Sequence, residues 1–322
     1  MKFFLEVLHK TRNYIRKDSV MTSALRIPLS VPRAKRDTYT KNYHRMTGGT
    51  GRLFLFAGDQ KIEHLHKDFF GTGIATEAAY PEHLFKIASQ ARIGCFATQP
   101  GLIARYAANY LSVPYLAKMN AKTDLVGVHQ KDPISRQLVP FEDIVRMRDE
   151  HGISIVGVGY TIYLGSEYEA EMLTEAAQLV MNAHREGMLV VLWIYPRGKA
   201  VTNERSVDVI AGAAGVAHCL GADFVKINPP AANSANQAAQ LLHQAVIAAG
   251  NTGVVCSGGA SRNAKEFLFE LQEQLITGGA AGAAIGRNIH QKPVDQAVAF
   301  CGAIAAMIYD GASAEEAAKN LE

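Results

Sequence analysis

The chain has 322 residues, 48% of them hydrophobic, and a formal net charge of +3 at pH 7, so it is long enough and apolar enough to bury one large core. No apolar run approaches the roughly 18 to 20 residues that a membrane-spanning helix needs, and residues 1–17 are too interrupted by charge for a signal peptide. We therefore expect a cytoplasmic globular protein. Four cysteines lie far apart in apolar stretches without a CxxC spacing, and we expect reduced core residues rather than disulfides or a zinc site at Cys95, Cys219, Cys256 and Cys301.

The positive charge is concentrated at the start of the chain. Residues 1–45 contain eleven Lys or Arg and three acidic residues, a balance of +8, which leaves −5 for the remainder. We assign residues 1–50 to an N-terminal basic extension. Such an arm can contact nucleic acid or membrane lipid, but its alternating apolar positions favour an ordered extension that packs on its own barrel or on a neighbouring subunit. We expect neither a nucleic-acid nor a membrane partner.

From residue 51 to 322, short β-rich runs alternate with longer helical patterns. Strands are predicted at LFLFAG (53), CFAT (95), PYLAKMN (114), SIVGVGY (154), LVVLWIYP (189), ADFVKIN (222), GVVCSGG (253) and GAAIGRN (282). Helices are predicted over 81–92, 101–109, 141–150, 166–186, 203–219, 233–249, 261–276 and 293–309, with Asn203 and Ser261 as N-caps. Eight such units predict an α/β fold, a (β/α)8 TIM barrel, although a doubly wound parallel sheet gives a similar pattern.

Polar residues at the predicted strand ends favour the barrel, in which the C-terminal ends of the strands carry the active site. Besides the glycine-rich turns discussed next, these residues are Asp59, Lys118, Asn120, Tyr160, Trp193, Tyr195, Arg197, Lys226 and Asn228. Lys118 and Lys226 lie inside apolar runs rather than beyond them. Since burying an ammonium group without a partner is expensive, these two lysines suggest chemistry.

Glycine-rich turns after the last two predicted strands indicate a phosphate-binding site. The turn Ser257-Gly258-Gly259 offers unobstructed backbone N–H groups ahead of a predicted helix, and the pair Gly286-Arg287 follows the eighth strand. Helix N-termini preceded by such turns bind phosphate, and barrels commonly use the loops after strands 7 and 8 for this purpose. Arg287 would add a charge-assisted contact. The alternative is that tight turns require the glycines.

Lys226 is the candidate nucleophile. At the ordinary pKa of about 10.4, roughly one lysine in a few thousand is neutral at pH 7, and only the neutral amine attacks a carbonyl. Burial lowers the pKa, and a second cation such as Lys118 would lower it further. The amine can then form an iminium with a ketone, while Tyr195 and Asp59 are placed to carry protons.

Seven segments, in chain order GDQ, YLAKMNAKT, VGYTIYLGS, WIYPRG, FVKINPP, CSGG and IGRNIHQ, resemble the archaeal-type class I fructose-bisphosphate aldolases. That family consists of Schiff-base enzymes on a (β/α)8 barrel, and the resemblance covers residues 50–310. It implies that Lys226 forms the Schiff base, that Tyr195 shuttles protons and that Asp59 lies near the substrate hydroxyl. It further implies that Trp193 walls the site, that Arg197 helps to position the substrate, and that the phosphate binds to Ser257, Gly258, Gly259, Gly286 and Arg287.

The implied reaction is the reversible cleavage of fructose 1,6-bisphosphate into dihydroxyacetone phosphate and glyceraldehyde 3-phosphate, by a homo-oligomer without a cofactor. The division of the proton transfers between Asp59 and Tyr195 stays open. Gln60 departs from the histidine or glycine expected after Asp59, and this leaves the aldehyde substrate open. Related Schiff-base enzymes, the aminodeoxyheptulosonate synthases and phospho-sugar thiolases, are therefore alternatives.

Two interpretations come from other classes of protein. A metal-dependent aldolase or hydrolase would use Asp59, Glu63, His64 and His66 as ligands, because these side chains lie on one loop at the same rim. A phosphate-binding or nucleic-acid-associated barrel would use the basic arm, but this interpretation leaves Lys226 and Tyr195 without a role.

Overall fold

The computed structural model describes residues 25–125 and 132–321, so part of the predicted basic arm, residues 1–24, lies outside the described residues. Eight parallel strands close into one barrel. In chain order, β1 to β8 are Leu53–Ala57, Cys95–Thr98, Tyr115–Lys118, Ile155–Leu164, Leu189–Pro196, Phe224–Ile227, Gly253–Ser257 and Gly282–Ile285. Because β8 pairs in parallel with β1, the sheet is closed, and the predicted (β/α)8 barrel is confirmed over the doubly wound sheet.

Helices surround the barrel and cover its outer face. In chain order, α1 to α12 are Arg36–Thr47, Gln60–Glu63, Glu82–Gln90, Pro100–Tyr106, Phe141–His151, Glu169–Arg185, Val207–Cys219, Ala235–Ala248, Ala264–Ile276, Arg287–His290, Val294–Tyr309 and Ala314–Ala318. Short 3-10 turns occupy Arg33–Lys35, Thr76–Ala79, Ala107–Asn109 and Lys319–Leu321, and a small antiparallel pair joins Asn120–Ala121 to Arg136–Gln137. Among the described residues, no helix is long and apolar enough to cross a membrane.

Both predicted N-caps are wrong, because the loops after β5 and β7 continue further than the sequence suggested. Helix α7 begins after Ser206, while Asn203 accepts a hydrogen bond from the Arg205 amide within the loop. Helix α9 begins after Asn263, whose side chain accepts from the next free amides of the helix, and not after Ser261. These longer loops belong to the rim where the polar residues gather.

Three of the four cysteines are buried, as predicted, and the prediction is wrong for Cys219. That residue is the last of α7, where the side chain meets solvent.

The described part of the N-terminal extension packs across the end of the barrel at which the strands begin. Met46 and Tyr39 are 0% and 2% exposed and join the hydrophobic cluster inside the barrel. The Tyr39 hydroxyl donates to Asp223, and Asp223 also contacts His184 at 3.1 Å. The predicted packing of an ordered extension on its own barrel is therefore confirmed for this part of the arm. The predicted domain boundary at residue 50 falls in the turn between α1 and β1.

Candidate active site

A cavity opens at the C-terminal ends of the strands, and ten of the eleven predicted site residues line it: Asp59, Trp193, Tyr195, Arg197, Lys226, Ser257, Gly258, Gly259, Gly286 and Arg287. The sequence had placed these residues at the ends of five different strands. The closed barrel brings those ends together around one opening. Six further residues share the cavity wall: Gln60, Glu63, His64, Tyr163, Asn228 and Ala284.

Lys226 lies within β6 with its side chain 4% exposed, and the strand register places it beside Trp193 of β5. Burial lowers its pKa, and the charges of Lys118 and Arg287 lower it further, although Asp59 and Glu63 act in the opposite direction. The neutral amine needed for attack on a carbonyl is therefore more populated than in an exposed lysine, as the sequence predicts.

The indole ring of Trp193 lies near both strand lysines. Lys226 Nζ is 5.3 Å and Lys118 Nζ 5.4 Å from the ring centroid. Gly159 makes room for the ring, because a Cβ atom at this position would lie 2.4 Å from the edge of the indole. A glycine on β4 thus makes room for the aromatic wall that lies beside both lysines.

Lys118 is the predicted site residue that does not line the cavity. Its side chain is fully buried, and Nζ donates to the Asn120 backbone oxygen at 2.8 Å and to Asn120 Oδ1 at 3.0 Å. The predicted contact of Lys118 with substrate or phosphate stays a prediction, since its side chain is not part of the cavity wall. The geometry favours an influence of Lys118 on Lys226 through its charge.

Two carboxyl groups face the cavity from the turn after β1. Asp59 is 2% exposed, and Glu63, four residues later, ends the short helix α2. Within the described residues, no hydrogen-bond partner reaches Asp59 Oδ1, Glu63 Oε1 or Gln60 Oε1, although all three atoms are buried. Buried acceptors of this kind are costly without a partner, so they are suited to the hydroxyl groups of a bound ligand.

Glu63 differs from the other residues because the sequence suggested it only as a metal ligand. Its Oε1 atom is 3.9 Å from Lys118 Nζ. Burial raises the pKa of Glu63, with Asp59 adding to the rise, although Lys118 opposes both. The signal that was available is its spacing from Asp59, since one helical turn brings positions i and i+4 to the same side.

Tyr195 and Tyr163 are paired across β5 and β4 and form another wall of the cavity. Burial raises the pKa of Tyr195 well above its ordinary value, and the nearby Glu63 and Asp59 carboxylates raise it further. Tyr195 therefore keeps its proton at neutral pH and can act as a donor. The guanidinium group of Arg197 lies 5.1 Å from the Tyr195 ring and is bound to Glu204 at 3.2 Å. The rim residue Tyr160, by contrast, bonds Glu175 on the outer side of the barrel.

The two glycine-rich turns are neighbours, as predicted, and Asn288 ties them together. Its side-chain amide donates to the backbone oxygens of Gly258 and Ala260, both at 3.1 Å, and its Oδ1 accepts from the Arg262 amide. Gly286 has no space for a side chain, because a Cβ atom would lie 2.4 Å from Gln60 Nε2. Backbone N–H groups and Arg287 thus line one end of the cavity, where a phosphate group can bind.

The alternative metal site does not assemble. His64 is bonded to Asp68 through Nδ1, and His66 stacks on Phe70 with the ring centroids 5.3 Å apart. In residues 25–125 and 132–321, no group of three or more His, Cys, Asp or Glu side chains is arranged to hold a metal ion.

The model of the DeoC/LacD aldolase family matches residues 53–292, which covers the barrel from β1 to the turn after β8. The chain belongs to this aldolase family. A curated relative from Methanocaldococcus jannaschii, named fructose-bisphosphate aldolase/6-deoxy-5-ketofructose 1-phosphate synthase, is 52% identical over 295 residues, covering 92% of this chain and 94% of the relative.

Solved structures agree with this membership. A fructose-bisphosphate aldolase from Slackia heliotrinireducens superposes with a TM-score of 0.90 at 54% identity, covering 92% of this chain and 94% of the other. An archaeal fructose-1,6-bisphosphate aldolase, described with its catalytic lysine covalently bound to the carbinolamine intermediate, gives a TM-score of 0.70 at 30% identity over 84% of this chain and 99% of the other. The resemblance predicted from the sequence is confirmed, and the protein is an aldolase, a carbon–carbon lyase.

Proposed function

We propose that this aldolase is a class I fructose-bisphosphate aldolase, which cleaves fructose 1,6-bisphosphate reversibly through a Schiff base on Lys226. The observation that carries the proposal is the position of Lys226: a buried lysine with a lowered pKa shares one cavity with the phosphate-binding turns. The archaeal relative with a carbinolamine on its catalytic lysine supports the same chemistry. The substrate class is therefore a phosphorylated ketose.

The phosphate-binding turns orient the ketose. The phosphate on carbon 1 binds the backbone N–H groups of Gly259 and Gly286 together with the Arg287 guanidinium group, all of which line the cavity. The Gly258 N–H already donates to the Ala284 backbone oxygen at 3.1 Å, so Gly258 contributes the close approach of its backbone rather than a free donor. Anchoring the phosphate places the carbonyl carbon beside Lys226, and holding reactants in this way lowers the entropic part of the barrier.

The covalent steps follow from the protonation states. The neutral Lys226 amine attacks carbon 2, and the Tyr195 phenol donates a proton to the departing oxygen, which yields the iminium. The Asp59 carboxylate then takes the proton of the hydroxyl on carbon 4, while Tyr195 regains its own proton only when water adds to the iminium at the end of the cycle. The bond between carbons 3 and 4 breaks, its electrons pass into the iminium as an enamine, and the aldehyde leaves. A proton must still return to carbon 3 before water releases the ketone.

A second candidate function follows from the name of the M. jannaschii relative, which includes the synthesis of 6-deoxy-5-ketofructose 1-phosphate. The same enamine can attack a different aldehyde, so both activities use Lys226 and the phosphate-binding turns. Rates measured with glyceraldehyde 3-phosphate and with an unphosphorylated aldehyde as acceptors distinguish them. The aminodeoxyheptulosonate synthase alternative, the homo-oligomer and the cytoplasmic location stay predictions.

Borohydride trapping tests the proposed Schiff base. Incubation with dihydroxyacetone phosphate and borohydride is expected to add the mass of the reduced ligand to the peptide that contains Lys226. Lys226→Met is expected to abolish this adduct and to lower the cleavage rate by at least about 10³-fold. An adduct on Lys118, or cleavage that survives in Lys226→Met, would overturn the assignment.

A further inference from the structure

The final proton transfer to carbon 3 needs a proton donor other than Tyr195. In the proposed sequence of steps, Tyr195 has already given its proton to the departing oxygen and regains one only when water adds to the iminium. Among the residues that line the cavity, the carboxyl groups are Asp59 and Glu63, and Asp59 already serves as the base of the cleavage step.

Glu63 lies in the cavity in which this step takes place. Its side chain lines the same cavity as Lys226, and 18% of the side-chain surface remains accessible. Its Oε1 atom accepts no hydrogen bond from any described residue. The nearest cation, Lys118, is 3.9 Å away and already donates to Asn120 at 2.8 Å, so the carboxyl group remains available to a ligand.

Two carboxyl groups in one buried cavity also divide the protonation states between them. Asp59 and Glu63 repel each other as anions, and burial favours the neutral form of Glu63. Pairs of carboxyl groups in unequal surroundings commonly provide one acid and one base. Lys118, beside Glu63, stabilises the anion that is formed when the proton leaves.

We propose that Glu63 is a further catalytic residue, which delivers a proton to carbon 3 of the enamine on Lys226. This proposal rests on the proposed function, because the enamine exists only if Lys226 forms the Schiff base. The Glu63 O–H bond breaks, a C–H bond forms with the enamine electron pair, and the iminium is restored. In the reverse direction the Glu63 carboxylate removes the same proton. The proton that Asp59 takes from the substrate hydroxyl balances the one delivered, with cavity water returning it to Glu63.

Exchange of a carbon-bound hydrogen of dihydroxyacetone phosphate with the solvent measures this proton transfer separately from cleavage. In deuterium oxide the wild-type enzyme is expected to exchange one carbon-bound hydrogen of this ketone, because the iminium and enamine interconvert without an aldehyde. Glu63→Gln keeps the size of the side chain and removes the acid, so we expect exchange followed by NMR to fall by at least about 10²-fold. The borohydride adduct at Lys226 should form as in the wild type, which also verifies the fold.

Asp59→Asn is the matched comparison. This variant is expected to lose cleavage of fructose 1,6-bisphosphate but to retain the exchange, because Asp59 acts on the hydroxyl of carbon 4. If Glu63→Gln does not fold, Glu63→Asp retains a carboxyl group, and its exchange rate is expected to be between those of the wild type and of an enzyme without the acid. Undiminished exchange in Glu63→Gln, or lost exchange in Asp59→Asn with normal exchange in Glu63→Gln, overturns the proposal. Failure to trap any adduct in the wild type refutes the proposed function instead.

Discussion

Lys226 places a cost on folding that is tied to its chemistry. Its folded pKa is lowered by burial, so at neutral pH the unfolded chain binds a proton that the folded protein disfavours. Stability must therefore increase as the pH rises through the folded pKa towards the unfolded value of about 10.4. The residue that carries the proposed reaction lowers the free energy of unfolding at pH 7.

The first prediction is that Lys226→Met raises the melting temperature at pH 7 while it removes activity. The gain in melting temperature is expected to be largest at lower pH, where the buried, protonated Lys226 destabilises the wild-type protein most. It is expected to vanish as the pH approaches about 10.4. Thermal unfolding of both proteins from pH 6 to 10 measures the trend. Lys86→Met, whose side chain is 53% exposed, is the control and should show no such pH dependence. A variant less stable than the wild type at every pH contradicts this account.

The second prediction concerns Arg287, which lines the phosphate end of the cavity. Arg287→Ala removes a charge-assisted contact worth roughly 1.5 to 3 kcal/mol, which corresponds to a loss of about 10- to 100-fold in kcat/KM for fructose 1,6-bisphosphate. Steady-state kinetics with unphosphorylated fructose as a second substrate provide the comparison. Equal losses on both substrates would mean that Arg287 does not bind the phosphate.

One glycine in a strand determines where an aromatic side chain of the site can lie. Gly159 on β4 lies against the Trp193 ring, so the shape of the cavity depends on a residue that contributes no side chain. The third prediction is that Gly159→Ala displaces the indole and lowers both the cleavage rate and the yield of the borohydride adduct, with a stability loss of about 1 to 3 kcal/mol.

The matched control for this substitution is Gly302→Ala on α11, where an added Cβ meets no atom within 4 Å. That variant should gain about 0.5 to 1 kcal/mol in urea unfolding and keep its activity, because alanine is the better helix former. Normal kinetics in Gly159→Ala would show that the position of the indole ring does not limit the reaction.

The strands were predictable from the sequence because both of their faces are buried. All five residues of β1 are buried, so it appears as an unbroken apolar run, as expected for a parallel strand. The first residues of α7 and α9 were not predictable, because acceptable N-cap residues occur at two places before each helix: Asn203 and Ser206, and Ser261 and Asn263. Only the length of the rim loops selects Ser206 and Asn263.

The lysines within apolar runs correctly predicted a buried site, but the sequence did not predict that Lys118 and Lys226 have different surroundings. Both lysines lie near the Trp193 ring because β3, β4, β5 and β6 are neighbours in the closed barrel. Glu63 was missed as a possible acid for a similar reason. Its spacing of four residues from Asp59 is the available signal, but a helix of four residues does not repeat the spacing and so does not mark its inward side. The neighbouring Lys118 belongs to a strand more than fifty residues later in the chain.

At the scale of the whole molecule, the two ends of the barrel have separate tasks. The candidate site occupies the end where strands finish, and residues 31–47 close the other end with Val31, Tyr39 and Met46 buried. Substitutions in the extension are therefore expected to change stability without changing the site.

The fourth prediction compares two deletions. Removal of residues 1–47 uncovers the end of the barrel at which the strands begin. The buried surface of Val31 and Met46 alone contributes roughly 3 to 6 kcal/mol to the free energy of unfolding, a large part of its typical value. Removal of residues 1–24 retains Val31, Tyr39 and Met46, so this shortened chain is expected to melt at a higher temperature than the one without residues 1–47. Circular dichroism on heating measures the first effect, and light scattering shows whether residues 1–24 contribute to assembly. Equal stability of the two shortened chains would contradict the role given to α1.

Trp193 is the one tryptophan of the chain, and its ring lies near both lysines of the site. Its indole Nε1 is buried and has no hydrogen-bond partner among the described residues. Indole emission responds to nearby charge and to hydrogen bonding at this nitrogen. Conversion of Lys226 from an amine to an iminium changes the charge 5.3 Å from the ring centroid. The protein consequently contains its own optical reporter, and its tryptophan fluorescence should follow ligand binding and Schiff-base formation in real time, without a label and without interference from any other tryptophan.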